Sequence, residues 1–178
     1  MITIRAASER DADVLPDIER SSGAIFRGWA GLEWIADDDV QSADQHLTLM
    51  SQGVALVAED RERGAVGFLN GEMTPDGLHI WQIAVHLDWQ GQGIGRRLIA
   101  AAGQIARERG AKALTLTTFR DVPWNEPYYR RLGFHTLAEE AIPPRLLKVL
   151  ENEGKVGIPV ELRCAMVMPL QRRPRLHT

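Results

Sequence analysis

The sequence holds one cysteine, Cys164, in 178 residues. A lone thiol excludes an internal disulfide framework and any zinc site built on several cysteines. It fits a reducing compartment, so a cytoplasmic protein is expected, and no metal is. Long apolar runs are missing too: none approaches the ~18 residues that a membrane helix needs. The opening stretch MITIRAASERDADVL has no apolar core of the secretory type, so no leader and no membrane contact are expected. Charge of one sign is not in excess. Lys+Arg number 21 and Asp+Glu 24, a formal net charge of -3, and a mildly acidic chain lacks the basic footprint of a nucleic-acid binder. Arg172, Arg173 and Arg175 near the C-terminus do not reverse that balance. There is no internal repeat and no low-complexity segment.

Apolar material, by contrast, is ample. Hydrophobic residues make up 44% of the chain and charged residues 25%, enough to build a core. The length suits one domain over residues 1–170, followed by a loose basic tail, 171–178. Patterning predicts an opening strand at 2–5 and a helix from Ser8 to about Arg20. Ile25, Trp29 and Leu32 fall at helical spacing and predict a further short helix. Another helix is expected over 42–52, stopped by Gly53. Strands follow at 54–59, 65–73 and 78–85, the last apolar on both faces and hence central. Ile94, Leu98, Ala102 and Ile105 form the stripe of a helix over 95–109. A strand at 113–118, a short helix at 125–132, a strand at 134–137, a helix from Pro143 to about Glu151 and a strand at 163–168 complete the chain. This order argues for an α/β or α+β fold with one sheet.

The informative segment is Gln90-Gly91-Gln92-Gly93-Ile94-Gly95-Arg96-Arg97, set between a buried strand and an amphipathic helix. Glycines let the backbone approach a ligand closely, and the unpaired N–H groups of a helix start, with its dipole, suit a phosphate. Arg96 and Arg97 add charge at the rim. The segment is not a Walker loop, which ends in Gly-Lys-Ser/Thr. Nor is it a dinucleotide fingerprint: Arg96 or Leu98 stands where the third glycine belongs, and no acidic residue lies ~20 positions on. The plain alternative is a tight turn with no ligand.

Gln90, Gly93 and Gly95 resemble the acyl-CoA-binding motif Gln/Arg-x-x-Gly-x-Gly/Ala of the GNAT N-acetyltransferase superfamily. Tyr129 followed by Gly133-Phe134 resembles that family's Tyr-x-x-x-Gly-Phe, one helix and one strand later. Residues 117–125 look like those of a bacterial subgroup. Each motif alone is weak, but in this order they cover 54–137. The resemblance implies a mixed, mostly antiparallel central sheet with two splayed middle strands and helices on both faces. It implies acetyl-CoA as acyl donor, with pantetheine along Ile83, Ala84 and Val85. The pyrophosphate would lie on the amides of Gly91, Gln92, Gly93, Ile94, Gly95 and Arg96, with Gln90 beside them. The acetyl group would pass directly to a primary amine.

Such a transfer needs loss of a proton from an amine of pKa ~10.4, a donor for the oxyanion and a proton for the departing thiolate. A backbone N–H near Val85 suits the oxyanion. Tyr129 aligns with the family's general acid, and a phenol of pKa ~10 carries the proton it must give. Otherwise Tyr129 is a core residue with its hydroxyl in a local bond. For the base, His79 stands where histone-type members carry glutamate, and imidazole at ~6.5 can accept a proton directly or through water. His79 is otherwise a half-exposed strand residue. Trp81 stands where other members carry glutamate, so Glu33, Glu72 or a water chain remain open. Asn125 has two readings, a hydrogen bond to pantetheine or an N-cap, with the cap preferred.

In the resembled family the N-terminal helices wall the acceptor pocket. Here they carry Phe26, Trp29, Glu33, Trp34 and the acidic run 37–39, suited either to a cationic amine or simply to core and solvent. Small amines, amino acids, antibiotics and protein N-termini all remain possible acceptors. A homodimer is expected by analogy. The alternative to an enzyme is a non-catalytic acyl-CoA sensor, which would bind CoA and release no thiol.

Overall fold

The computed structural model describes residues 1–170; the tail expected over 171–178 lies outside the described residues. Seven strands form one sheet: β1 (Ile2–Ala6), β2 (Val54–Asp60), β3 (Gly64–Thr74), β4 (Gly77–Val85), β5 (Ala113–Phe119), β6 (His135–Thr136) and β7 (Arg163–Pro169). Their order is β1-β2-β3-β4-β5-β7-β6. The β1–β2, β2–β3, β5–β7 and β6–β7 ladders are antiparallel, and β4–β5 is parallel. Five α-helices accompany them: α1 (Leu15–Gly23), α2 (Ala43–Gln52), α3 (Ile94–Glu108), α4 (Glu126–Arg131) and α5 (Pro144–Lys155). The mixed, mostly antiparallel sheet with helices matches the fold class read from the sequence.

The chain divides into two compact units. Among the described residues, the first comprises Met1–Glu72 and Ile80–Gln104 and the second comprises Met73–His79 and 105–170.

The first unit is built on α1, α2 and the strands β1 to β3. Leu15 and Ile18 of α1 pack with Val57, Phe68 and Ala84 in one buried cluster. Alternation along β2 and β3 puts Val57 and Phe68, cross-strand partners in register, into that cluster. α2 begins where the sequence places it: Ser42 Oγ accepts from the Gln45 amide at 3.2 Å and Gln45 Oε1 from the Ser42 amide at 2.7 Å, a reciprocal cap. Residues 24–37 are a correction. They form two 3-10 turns, Ala24–Gly28 and Glu33–Asp37, not one helix. Gly28 and Gly31 weaken any continuous helix there, and Gly31 takes φ +87°. Within α3, Leu98 and Ala102 are fully buried, as the stripe requires.

In the second unit β5 pairs with β7 over its whole length, from Ala113↔Pro169 to Phe119↔Arg163. Within this unit β4 pairs with β5 at Leu78↔Leu114 and His79↔Thr115. The strands draw close because Gly77, at φ +144°, has no Cβ; one there would stand 2.2 Å from the Ala113 carbonyl oxygen. Leu146 and Leu150 of α5 pack on Ala165 of β7, with Leu137 and Ile142 at the margin.

Candidate active site

The glycine turn fulfils its sequence pattern. Gly91 and Gly93 have φ +75° and +76°, backbone that side chains with a Cβ rarely adopt. A Cβ added at either would meet nothing within 4 Å, so conformation and not crowding demands glycine. The first helical bond of α3 runs from the Arg97 amide to the Gly93 carbonyl at 3.1 Å. The amides of residues 91–96 donate to no protein acceptor among the described residues. Gly91, Gln92, Gly93 and Arg96 are exposed, and the side chain of Ile94 is buried and anchors the turn. Gln90 latches the turn to the strand: its Nε2 donates to the Val85 carbonyl at 3.0 Å. That amide nitrogen is thus engaged on the chain itself. Arg97 donates to the Ile2 carbonyl at 3.0 Å, leaving Arg96 as the rim cation of this turn without a partner among the described residues. An open groove of about 500 Å³ adjoins the turn, with Arg63, His86, Trp89 and Gln92 among its walls.

β4 changes character along its length. Its first four residues are buried on both faces; from Trp81, which is 39% exposed, the odd positions Ile83 and Val85 are only half-buried while Ala84 stays at 2%. The side chains of Ile83 and Val85, where the cofactor contacts were expected, are thus partly exposed.

Tyr129 sits in α4. Its ring packs edge-on against Tyr128 at 5.4 Å and Phe134 at 5.7 Å. Its hydroxyl makes no hydrogen bond among the described residues. Burial, with Tyr128 beside it, pushes the phenol well above its ordinary range, so the proton stays on at any working pH. Tyr129 is thus a buried core residue, as the alternative has it, but without the local hydroxyl bond among the described residues. Asn125 occupies the N-cap position of α4, but its side chain caps nothing. Its Oδ1 is buried with no partner among the described residues. The preferred cap reading is thereby corrected: the side chain makes no cap hydrogen bond, and φ −116°, ψ −113° lies outside the extended backbone usual for a cap.

His79 is the other correction. It is 1% exposed, not half-exposed. Its Nδ1 lies 2.9 Å from Thr115 Oγ1; the same hydroxyl oxygen accepts from Arg145 Nη2 at 3.1 Å, and Arg145 Nε donates to Asp76 Oδ2 at 2.7 Å. Burial, with Arg145 nearby, pulls the imidazole down to about 3. Such a group stays neutral and holds a proton poorly, which runs against the base role. Glu33 is exposed with Oε2 on the Gly31 amide at 2.8 Å, and Glu72 is exposed.

Sequence reasoning passed over Glu19 in α1. It is half-buried, and burial pushes its carboxyl up to about 7. No motif marks it. The only signal was a carboxylate directly after the core residue Ile18.

A family model described as "Acetyltransferase (GNAT) family" matches residues 24–134, more than half of the chain. The chain belongs to the GNAT acetyltransferase family. Solved structures agree on the fold. PaiA N-acetyltransferase from Thermoplasma acidophilum, in complex with coenzyme A, is 17% identical with a TM-score of 0.71, over 95% of this chain and 99% of that one. The ribosomal-protein-S18-alanine N-acetyltransferase from Escherichia coli is 18% identical with a TM-score of 0.65, over 100% and 99%. N-acetylglutamate synthase from Neisseria gonorrhoeae, complexed with coenzyme A and N-acetyl-glutamate, is 20% identical with a TM-score of 0.68, over 97% of this chain and 36% of that one.

Proposed function

We propose that the protein transfers an acetyl group from acetyl-CoA to a primary amine by direct attack. The observation that carries this reading is the run of amides, residues 91–96, that the chain itself does not use. A diphosphate is the ligand such a turn suits, because aligned N–H groups at a helix start meet its charge without desolvating a side chain. Arg96 adds a cation at the rim. Pantetheine would run along the backbone of Ile83, Ala84 and Val85, where the Val85 carbonyl already accepts from Gln90 Nε2. The orphaned Asn125 Oδ1 suits a pantetheine N–H, since a buried carbonyl without a donor costs about 1–3 kcal/mol.

The chemistry follows. The amine's lone pair attacks the thioester carbon, and a backbone N–H near Val85 receives the charge that develops on oxygen. The C–S bond breaks, and Tyr129, which keeps its proton in the interior, gives it to the sulfur. His79 takes no part in proton transfer in this scheme. A sensor without turnover would need the same turn but no donor at the sulfur; the unengaged Tyr129 hydroxyl supports the enzyme. Thiol release from acetyl-CoA with a panel of amines tests the reading. Thiol appearing only with both partners present supports transfer, whereas CoA binding without thiol release with any amine points to the sensor.

A further inference from the structure

Transfer requires the incoming ammonium to lose a proton; His79 is buried and its imidazole pulled down, and Glu33 and Glu72 are exposed. We infer that Glu19 binds the ammonium of the acceptor and takes its proton, and that the acceptors are cationic primary amines. This rests on the acetyl-transfer reading above.

Placement comes first. Ile18 packs in one cluster with Ala84 of β4, and Ser21 Oγ accepts from the Leu87 amide at 3.0 Å just past the end of that strand. The turn of α1 carrying Glu19 therefore runs along the C-terminal end of β4, within the first unit. Glu19 Oε2 accepts from the Gln41 amide at 3.0 Å. It forms no ion pair among the described residues, since neighbouring Arg20 is bonded to Asp17 at 2.5 Å. Its second oxygen is left for a guest.

The surroundings point the same way. Gln41 Oε1 accepts from Asn70 Nδ2 at 2.7 Å, and Asn70 Nδ2 in turn faces His46 Nδ1 at 3.4 Å. Asn70 and His46 are each 1% exposed, yet Asn70 Oδ1 and His46 Nε2 have no partner among the described residues. Native interiors seldom leave two such atoms unpaired, and those that do call for a specific reason. Of the two, only Asn70 Oδ1 is an acceptor that suits an ammonium, because His46 Nδ1 faces an N–H donor and the neutral ring then carries its proton on Nε2. Burial pushes Glu19 to about 7; the Gln41 amide and Arg20 oppose the rise, and Asp38 adds to it. Burial lowers the His46 imidazole below its usual value. A carboxylate that holds its proton near neutrality is a better base for an ammonium than an ordinary glutamate.

The step balances. Glu19 takes one proton from the ammonium, leaving a neutral amine. The C–N bond forms, the C–S bond breaks, and the sulfur leaves with its electron pair and accepts the Tyr129 proton. The amide nitrogen's surplus proton restores Tyr129, and Glu19 releases its own to solvent.

The test uses thiol release from acetyl-CoA with putrescine, lysine and alaninamide between pH 5.5 and 9, for wild type, Glu19→Gln and Glu19→Asp. Calorimetric titration of acetyl-CoA runs alongside. Gln keeps an acceptor for the Gln41 amide. Wild-type kcat/KM is expected to rise through a midpoint near 7, and Glu19→Gln to lose that rise and about 100-fold in rate at pH 8. Its acetyl-CoA affinity should be unchanged, and Glu19→Asp should keep the rise. In ¹³C-glutamate-labelled protein, the carboxyl signal missing from Glu19→Gln should titrate near 7. Should that variant fail to fold, the Asp variant assigns the signal. A signal in the ordinary carboxylate range, or a wild-type pH profile in Glu19→Gln, removes Glu19 from the chemistry. Acetyl-CoA binding without turnover of any amine removes the transfer reading, and Glu19's role with it.

Discussion

The two ends of β4 resolve in opposite ways. At its start, His79 lies in a closed set: Thr115, Arg145 and Asp76 engage one another there, and the imidazole is held near 3. Past its end, the amides of residues 91–96 engage nothing among the described residues. Both ends carried residue types with obvious chemistry. The difference teaches that residue type marks a candidate, and that what the fold leaves unpaired decides which candidate is available to a ligand.

The most damaging way to break the open end is Gly93→Asp. It forces a side chain onto backbone at φ +76° and sets a carboxylate against the expected diphosphate. CoA affinity should fall by about 100-fold or more, a loss of about 2.7 kcal/mol or more; calorimetric titration reads it. Tyr129→Phe removes only the hydroxyl. Turnover should drop by about 100-fold with CoA affinity unchanged, as steady-state kinetics and titration together will show. Weakened CoA binding with intact saturated turnover would contradict the acid role.

The closed end should answer differently. His79→Ala opens a cavity and strands Thr115, so stability should fall by about 2 kcal/mol, read by denaturant unfolding. Its pH–rate profile between 5.5 and 9 should keep the wild-type shape, because a group titrating near 3 contributes no limb there. A lost acid limb in that variant would return His79 to the mechanism and erase the contrast.

The smallest effect is a control within the first unit. The Arg5 guanidinium, bonded to Asp11 at 2.8 Å through both nitrogens, holds that carboxyl at about 2. Because the folded value lies below the ordinary 3.8, the contribution is present above pH 4 and fades as pH falls toward 2. It amounts to about 2 kcal/mol. Acid unfolding should show it in the wild type and lose it in Asp11→Asn.

Much of this was legible in the residues. The glycine turn was, because its signal is local: three glycines at fixed spacing between an apolar strand and an amphipathic stripe. The order of strands followed from alternation and turn chemistry. Residues 24–37 were not, because Ile25, Trp29 and Leu32 satisfy a helix and a pair of 3-10 turns equally well. His79 misled because the start of β4 is buried on both faces, so alternation could not say which way its ring points. Asn125 is a residue type that caps helices, and only the structure shows that its side chain makes no cap hydrogen bond. Glu19, Gln41, Asn70 and His46 come from α1, the segment before α2, β3 and α2, and no spacing rule joins them.

The central claim is best tested by following backbone amide resonances while CoA is added, with pantetheine, which lacks the diphosphate, as the comparison. The account predicts that the amides of residues 91–96 shift strongly with CoA and scarcely with pantetheine. If those six amides stay in place while CoA binds, the diphosphate lies elsewhere and the turn is only a turn.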